Sequence, residues 1–150
     1  MPVLSSAFDL PRGRLLALDL GQARIGVAVC DEAGMFARPL LTLARAATRA
    51  ADFAAIQRIV TDQKVAGVLA GMPAADSGAE EEGRQARWTR RYGGRLAGYL
   101  SVPLAYWDET LSSADAGALL TQIQSSAGID AVAAALILGD FLQARRSALC

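Results

Sequence analysis

The chain has 150 residues, 53% of them hydrophobic and 20% charged, which is enough for one buried core and excludes a disordered tail. Lys and Arg total 15 against 15 Asp and Glu, so no global field draws the protein to nucleic acid or anionic lipid, and the apolar run at 131–138 is far short of a membrane span. The chain has no histidine, which removes Ser-His-Asp and Cys-His nucleophile systems, histidine zinc sites and the imidazole general base.

Residues 1–13 read as a loose leader, 14–146 as a single domain and 147–150 as a C-terminal tail. The leader lacks a basic region followed by an apolar one, so it is not a signal peptide and a cytoplasmic location is expected. Cys30 and Cys150 are too few for a structural zinc and read as reduced thiols. Residues 14–20, containing Asp19, and 25–30 are apolar runs joined through a segment holding Gly21, and they predict a hairpin. A third strand is expected within 35–43, at an edge because of Pro39.

From Thr48 the period changes. Phe53, Ile56, Ile59, Val60 and Gln63 recur at three- and four-residue spacing among Arg49, Asp52, Gln57, Arg58 and Asp62, the pattern of an amphipathic helix. Residues 65–70 predict a buried strand closed by Gly71-Met72-Pro73, with a loop at 74–78. A second helix is expected from Ala79, because Glu80, Glu81 and Glu82 suit the positive end of a helix dipole. It places Trp88, Tyr92, Leu96 and Tyr99 on one stripe. Residues 104–107 predict a fifth strand with Asp108 and Glu109 at its C-terminal end. Ser112 or Ser113 can cap a further helix running to residue 124. After a turn at 125–128, Ile129-Asp130 opens the last helix, on which Ala133, Ala134, Ile137 and Phe141 share a face with Asp130. The order predicts a mixed α/β fold around one central five-stranded sheet, with an antiparallel opening hairpin that sets it apart from a plain Rossmann order.

Chemistry without histidine must come from carboxylates, hydroxyls, arginines and metals. Asp19 among strand apolar residues reads equally as a functional acid or as a solvent-facing strand-end residue, since burying it as an ion requires compensation. Glu109 lies at a strand's carboxyl end, where open α/β sheets place their sites, and strand alternation sends Asp108 to the other face. Asp130 alone reads as a helix cap, but its alanine neighbours let that helix end approach the sheet closely. Three carboxylates from distant parts of the chain suit oxygen coordination of Mg²⁺ or Mn²⁺, and such ions support phosphodiester hydrolysis without histidine.

The run Leu18-Asp19-Leu20-Gly21-Gln22-Ala23-Arg24-Ile25-Gly26-Val27-Ala28-Val29 resembles the opening strand pair of the YqgF family. Three further blocks follow in order: Gly71-Met72-Pro73, then Trp107-Asp108-Glu109-Thr110-Leu111-Ser112-Ser113, then Ile129-Asp130-Ala131-Val132-Ala133-Ala134-Ala135-Leu136-Ile137-Leu138. The family is similar to Holliday-junction resolvases and is assigned to processing of the small-subunit ribosomal RNA precursor. The resemblance, over residues 14–145, implies a ribonuclease H-like fold and an acidic site of Asp19, Glu109 and Asp130, acting as catalytic residues and as ligands of Mg²⁺ or Mn²⁺. It implies hydrolysis in the maturation of the pre-16S rRNA 5′ end, with that RNA and the pre-ribosomal particle as partners, no membrane partner, and a monomer or weak homodimer.

Two departures bear on substrate grip. Thr110 stands where family members usually carry arginine, and 122–128 has no charge where the family is typically basic. The cations left for substrate binding are Arg24, in the family motif, and Arg84 and Arg91, which with Arg87 and Arg95 fall on one side of the second helix. Trp88 and Tyr92 beside them read as a buried stripe rather than as base-stacking groups. Two other classes stay open: a non-catalytic RNA- or ribosome-associated factor, and a Holliday-junction-type DNA nuclease. Phosphoryl transfer, suggested by likeness of the hairpin to sugar kinases and actin, ranks last, because those proteins hold nucleotide between two such domains.

Overall fold

The computed structural model describes residues 1–73, 80–109 and 127–148, with Glu80, Glu81, Glu82 and Glu109 described at the backbone alone. The expected loop at 74–78 and the helix from Ser112 or Ser113 to residue 124 lie outside the described residues. The strands are β1 (Leu15–Leu20), β2 (Arg24–Cys30), β3 (Ala37–Ala44), β4 (Gly67–Pro73) and β5 (Leu104–Glu109), and the helices α1 (Arg49–Gln63), α2 (Glu80–Tyr99) and α3 (Ile129–Ala148). They form one five-stranded sheet in the order β3-β2-β1-β4-β5. The first three strands pair antiparallel, and β1, β4 and β5 pair parallel.

Alternation along the strands builds a core on each face of the sheet. Leu16, Leu18, Val27, Val68 and Ala70 turn towards Ile56 and Val60 of α1 and Leu96 of α2. Leu15, Ala17, Ala28, Leu69 and Ala105 turn towards Ile137, Leu138 and Phe141 of α3. Strands buried on both sides read as continuous apolar runs, and this is why β1 and β4 stood out in the sequence. Pro39 lies in β3 at the sheet's edge, opposite Ala28, where the register shifts.

Helix α1 begins where expected: Thr48 caps it by accepting a hydrogen bond from the Ala51 amide at 3.2 Å. One of its polar residues behaves unexpectedly. Asp52 is buried, and its Oδ2 lies 2.6 Å from Arg45 Nε while Oδ1 accepts from the Ala46 amide at 2.7 Å. Tyr92 Oη donates to Asp52 at 3.3 Å, and burial, aided by the Asp52 charge, holds the Tyr92 phenol far above its usual pKa. Arg45 also lies over the Tyr92 ring, 4.9 Å from its centroid, and donates from Nη1 to the Gly21 carbonyl at 3.2 Å. A charge that is paired and hydrogen-bonded in this way can be buried.

Three expectations are corrected. The leader is not loose throughout: the Leu4 amide donates to Leu104 O at 2.8 Å, beside a single bridge from Val3 to the first residue of β5, and Ala7 and Leu10 are buried on the α3 side of the sheet. On α2, Tyr92 and Leu96 are buried and Trp88 is half-buried, but Tyr99 is 51% exposed, because it is the last residue of the helix and lies at the rim beside Phe53. On α3, Ala133 is only half-buried, whereas Ala134, Ile137 and Phe141 pack on the sheet.

Gly93 lets α2 settle on β5. A Cβ there would lie 2.5 Å from Tyr106 Oη, which is itself held by a 3.0 Å bond to Arg90 O. Its neighbour Gly94 has open space at the same position. Gly94→Ala should therefore stabilise the protein by about 0.5–1 kcal/mol, through helix propensity. Gly93→Ala should lose that gain to a clash of about 1–3 kcal/mol. Urea midpoints of the two variants, moving in opposite directions, check the pair.

Candidate active site

Asp19 is the penultimate residue of β1 and pairs directly with Gly26 of β2, which in turn pairs with Thr42 of β3. Directly opposed residues in antiparallel strands carry their side chains on one face, so Thr42, Gly26 and Asp19 form a row across three strands. The start of α3 lies along this row. Thr42 Oγ1 donates to Ala127 O at 2.7 Å, and an ideal Cβ on Gly26 would fall 1.8 Å from Asp130 O. Cross-strand Cβ positions are about 5 Å apart, so the Asp130 carbonyl oxygen lies within roughly 7 Å of the Asp19 Cβ. Two of the three acids expected from the sequence thus share one face at one end of the sheet.

Arg24 belongs to the same alternate set as Gly26, and its Nε lies 2.8 Å from Asp130 Oδ2. The Arg24 side chain is 63% exposed against 32% for Asp130, so screening by solvent leaves this bridge a modest contributor to stability. Its main consequence is electrostatic: without metal, Arg24 balances the charge of Asp130. Asp130 also lies in the first turn of α3, where the helix dipole favours a negative charge.

Glu109 ends β5 opposite Pro73 of β4, and position 109 continues the alternation of Ala105 and Trp107, which pack on the α3 side. Asp108 falls in the other set, opposite Met72, and is exposed. Among the described residues no three acids or cysteines gather closely enough to hold a metal. The donors that are described, Asp19 and Asp130, are hard oxygen ligands of the kind that suits Mg²⁺ or Mn²⁺ rather than a soft metal.

The basic residues of α2 lie elsewhere at the same end of the sheet. Arg84, Arg87 and Arg91 line a cavity of about 550 Å³ together with Gln85, Trp88 and Gln22, the last from the β1–β2 turn that follows Asp19. The sequence marked Arg84 and Arg91 but neither the cavity nor Gln22, because helix periodicity groups the arginines and says nothing of which turn faces them. Arg45 and Asp52, which hold that turn against Tyr92 of α2, were likewise missed. A charged residue at an exposed-looking position of an amphipathic helix carries no sequence signal of burial.

Residues 13–144 match the family described as "RuvX: Holliday junction resolvase". A "Putative pre-16S rRNA nuclease" of Chloroflexus aurantiacus is 40% identical over 139 residues, covering 89% of this chain and 88% of the relative. A protein of the same name from a Synechococcus strain is 37% identical over 142 residues, covering 91% and 93%. Among solved structures, Thermus thermophilus RuvC in complex with a Holliday junction substrate superposes with a TM-score of 0.60 at 14% identity, covering 90% of this chain and 96% of that one. At that identity the likeness establishes the RuvC-like ribonuclease H fold alone.

Proposed function

This chain belongs to the RuvX family, and on that premise we propose that it is a metal-dependent nuclease acting in the cytoplasm on the 5′ end of precursor 16S rRNA. The observation that carries the reading is the row Thr42, Gly26 and Asp19 beneath the start of α3, which sets Asp19 and Asp130 on one face. In this reading Asp19, Glu109 and Asp130 hold Mg²⁺ or Mn²⁺. A bound divalent ion supplies Lewis acidity and a more acidic water at a phosphodiester. The two described carboxylates fit that role by donor type and by their shared face.

The protein's own groups do the rest. Arg24 neutralises Asp130 in the metal-free protein, and its exposed guanidinium is within reach of a phosphate arriving at the acids. Gly26 and Thr42 fix where Asp130 sits. Arg84 and Arg91 offer further phosphate contacts from α2. The test is purified protein with precursor 16S rRNA, an unstructured single-stranded RNA and a four-way DNA junction, each with Mn²⁺, Mg²⁺ or chelator. Cleavage of the precursor that stops with chelator is expected. Binding without cleavage in Mn²⁺ overturns the catalytic reading in favour of an RNA-associated factor, and preferred cutting of the junction overturns the RNA assignment.

Affinity should be low and only weakly salt-dependent. The formal charge is zero, and 122–128 carries none. Each phosphate neutralised on a single strand contributes about −0.7 to the slope of log affinity against log salt, so a few arginines give roughly −2 to −3. Replacing Arg84 and Arg91 together by alanine should flatten the slope further, with little dependence on RNA sequence. Filter binding over a salt series reads this, and an unchanged slope in the double variant would return both arginines to the solvated surface.

A further inference from the structure

The cavity between the β1–β2 turn and α2 has a chemistry that the acidic site does not use. Its walls are three guanidiniums (Arg84, Arg87, Arg91), two side-chain amides (Gln22, Gln85) and one indole (Trp88). Trp88 is half-buried: one part of the ring stacks on Tyr92, at 5.3 Å between centroids and 25° between planes, while the residue also lines the cavity. The indole is held in place. Tyr92 beneath it is fixed by its bond to Asp52, and Arg45 lies 5.6 Å from the Trp88 centroid while tying the Gly21 carbonyl of the same turn that carries Gln22. One buried ion pair, Arg45 with Asp52, thus fixes both walls of the cavity relative to each other.

An apolar aromatic wall, amides that can meet a base edge and several guanidiniums form the set that binds an unpaired nucleotide: stacking for the base, charge for its flanking phosphates. A duplex does not suit it, because stacked and paired bases present no free face. The volume falls in the range of small-ligand sites. Gln22 stands three residues after Asp19, so a strand crossing the tip of the hairpin passes from the cavity to the acids.

We infer that this cavity is a subsite for one unpaired nucleotide of the RNA strand, with its base against Trp88 and its phosphates on Arg87 and Arg91. The subsite rests on the nuclease reading for its purpose but not for its existence. It selects single-stranded RNA beside the scissile position, and it explains how a protein of zero net charge holds its substrate with few phosphate contacts.

Binding is measured in chelator, where no cleavage occurs, by anisotropy of a labelled six-nucleotide single-stranded RNA and by quenching of tryptophan fluorescence. Trp88→Ala should weaken binding by about 5- to 150-fold, the range for loss of one base–aromatic stack. Trp88→Phe should keep affinity within about threefold, since phenylalanine still stacks, but lose the quench. Arg87→Ala, an exposed change that leaves the core intact, should weaken binding and reduce its salt dependence. A fully paired RNA duplex of the same sequence should compete poorly. Equal competition by the duplex, or undiminished affinity in both Trp88→Ala and Arg87→Ala, overturns the subsite. Binding in chelator is scored apart from cleavage in Mn²⁺, so loss of the nuclease reading and loss of the subsite are told apart.

Discussion

Asp19→Asn should abolish metal-dependent cleavage while leaving the metal-free protein as stable as before. The substitution keeps shape and a hydrogen-bonding oxygen but removes the charge that a divalent ion requires. An ion at a phosphodiester contributes several kcal/mol of transition-state stabilisation, and at about 1.4 kcal/mol per decade its loss amounts to a thousandfold or more in rate. Stability should hold, because Asn keeps the shape and an accepting oxygen at position 19 and Arg24 already balances Asp130. Cleavage in Mn²⁺ and thermal midpoints in chelator are the two readouts. A large fall of the metal-free midpoint would mark Asp19 as a structural residue instead. Asp108→Asn, on the other alternate set of β5 and exposed, should leave both readouts unchanged.

Gly26→Ala should damage both fold and activity. The added Cβ would lie 1.8 Å from Asp130 O, 2.2 Å from its carbonyl carbon and 2.9 Å from the Ala131 amide nitrogen. All three are helix backbone, held on one side by the bond from Thr42 to Ala127 and along α3 by a core that includes Phe141 and Leu138. No side-chain rotation relieves the clash, so the helix must move away from the sheet. Overpacking of this kind costs about 3 kcal/mol or more where the backbone cannot yield. The same displacement carries Asp130 away from Asp19, so protein that remains folded should cleave poorly even in excess Mn²⁺. Gly139→Ala in α3, with open space at its Cβ position, is the matched control and should be neutral or slightly stabilising. Equal stability of Gly26→Ala and Gly139→Ala would contradict the close approach of α3 to β2.

Burial at Cys30 follows the same logic of alternation. Its thiol sits on the α3 face of β2, accepts a hydrogen bond from the Leu15 amide at 3.2 Å, and is pushed up in pKa chiefly by burial. It is a packing residue, in keeping with its sequence context between apolar strand positions.

Local pattern determined much by itself. Apolar runs broken at Gly21 specify the hairpin, Pro39 consigns β3 to an edge, and Thr48 with a three-and-four period specifies α1. These are short-range effects of backbone sterics, capping and burial of one face, and they act within a few residues. Position at the ends of such elements and the absence of histidine made Asp19, Glu109 and Asp130 candidates, and the resemblance to the YqgF family singled them out as a set.

Tertiary structure decided what meets what. Gly26 stands inside the apolar run 25–30 with nothing beside it to mark a role, yet its lack of a side chain is what allows α3 to rest on β2. Arg24 looked like a free site cation, and the fold pairs it with Asp130 at 2.8 Å. Asp52 looked like a solvated helix residue, and the fold buries it against Arg45, whose position in turn sets the cavity wall at Trp88. The leader carried no strand pattern strong enough to place it, and the fold joins it to Leu104 at the start of β5 and to the α3-side core through Ala7 and Leu10. In each case the deciding contact joins residues remote in the chain. A side chain's own sequence neighbours fix its backbone geometry and its face, but whether that face meets water, a carboxylate or another backbone depends on which distant element packs there.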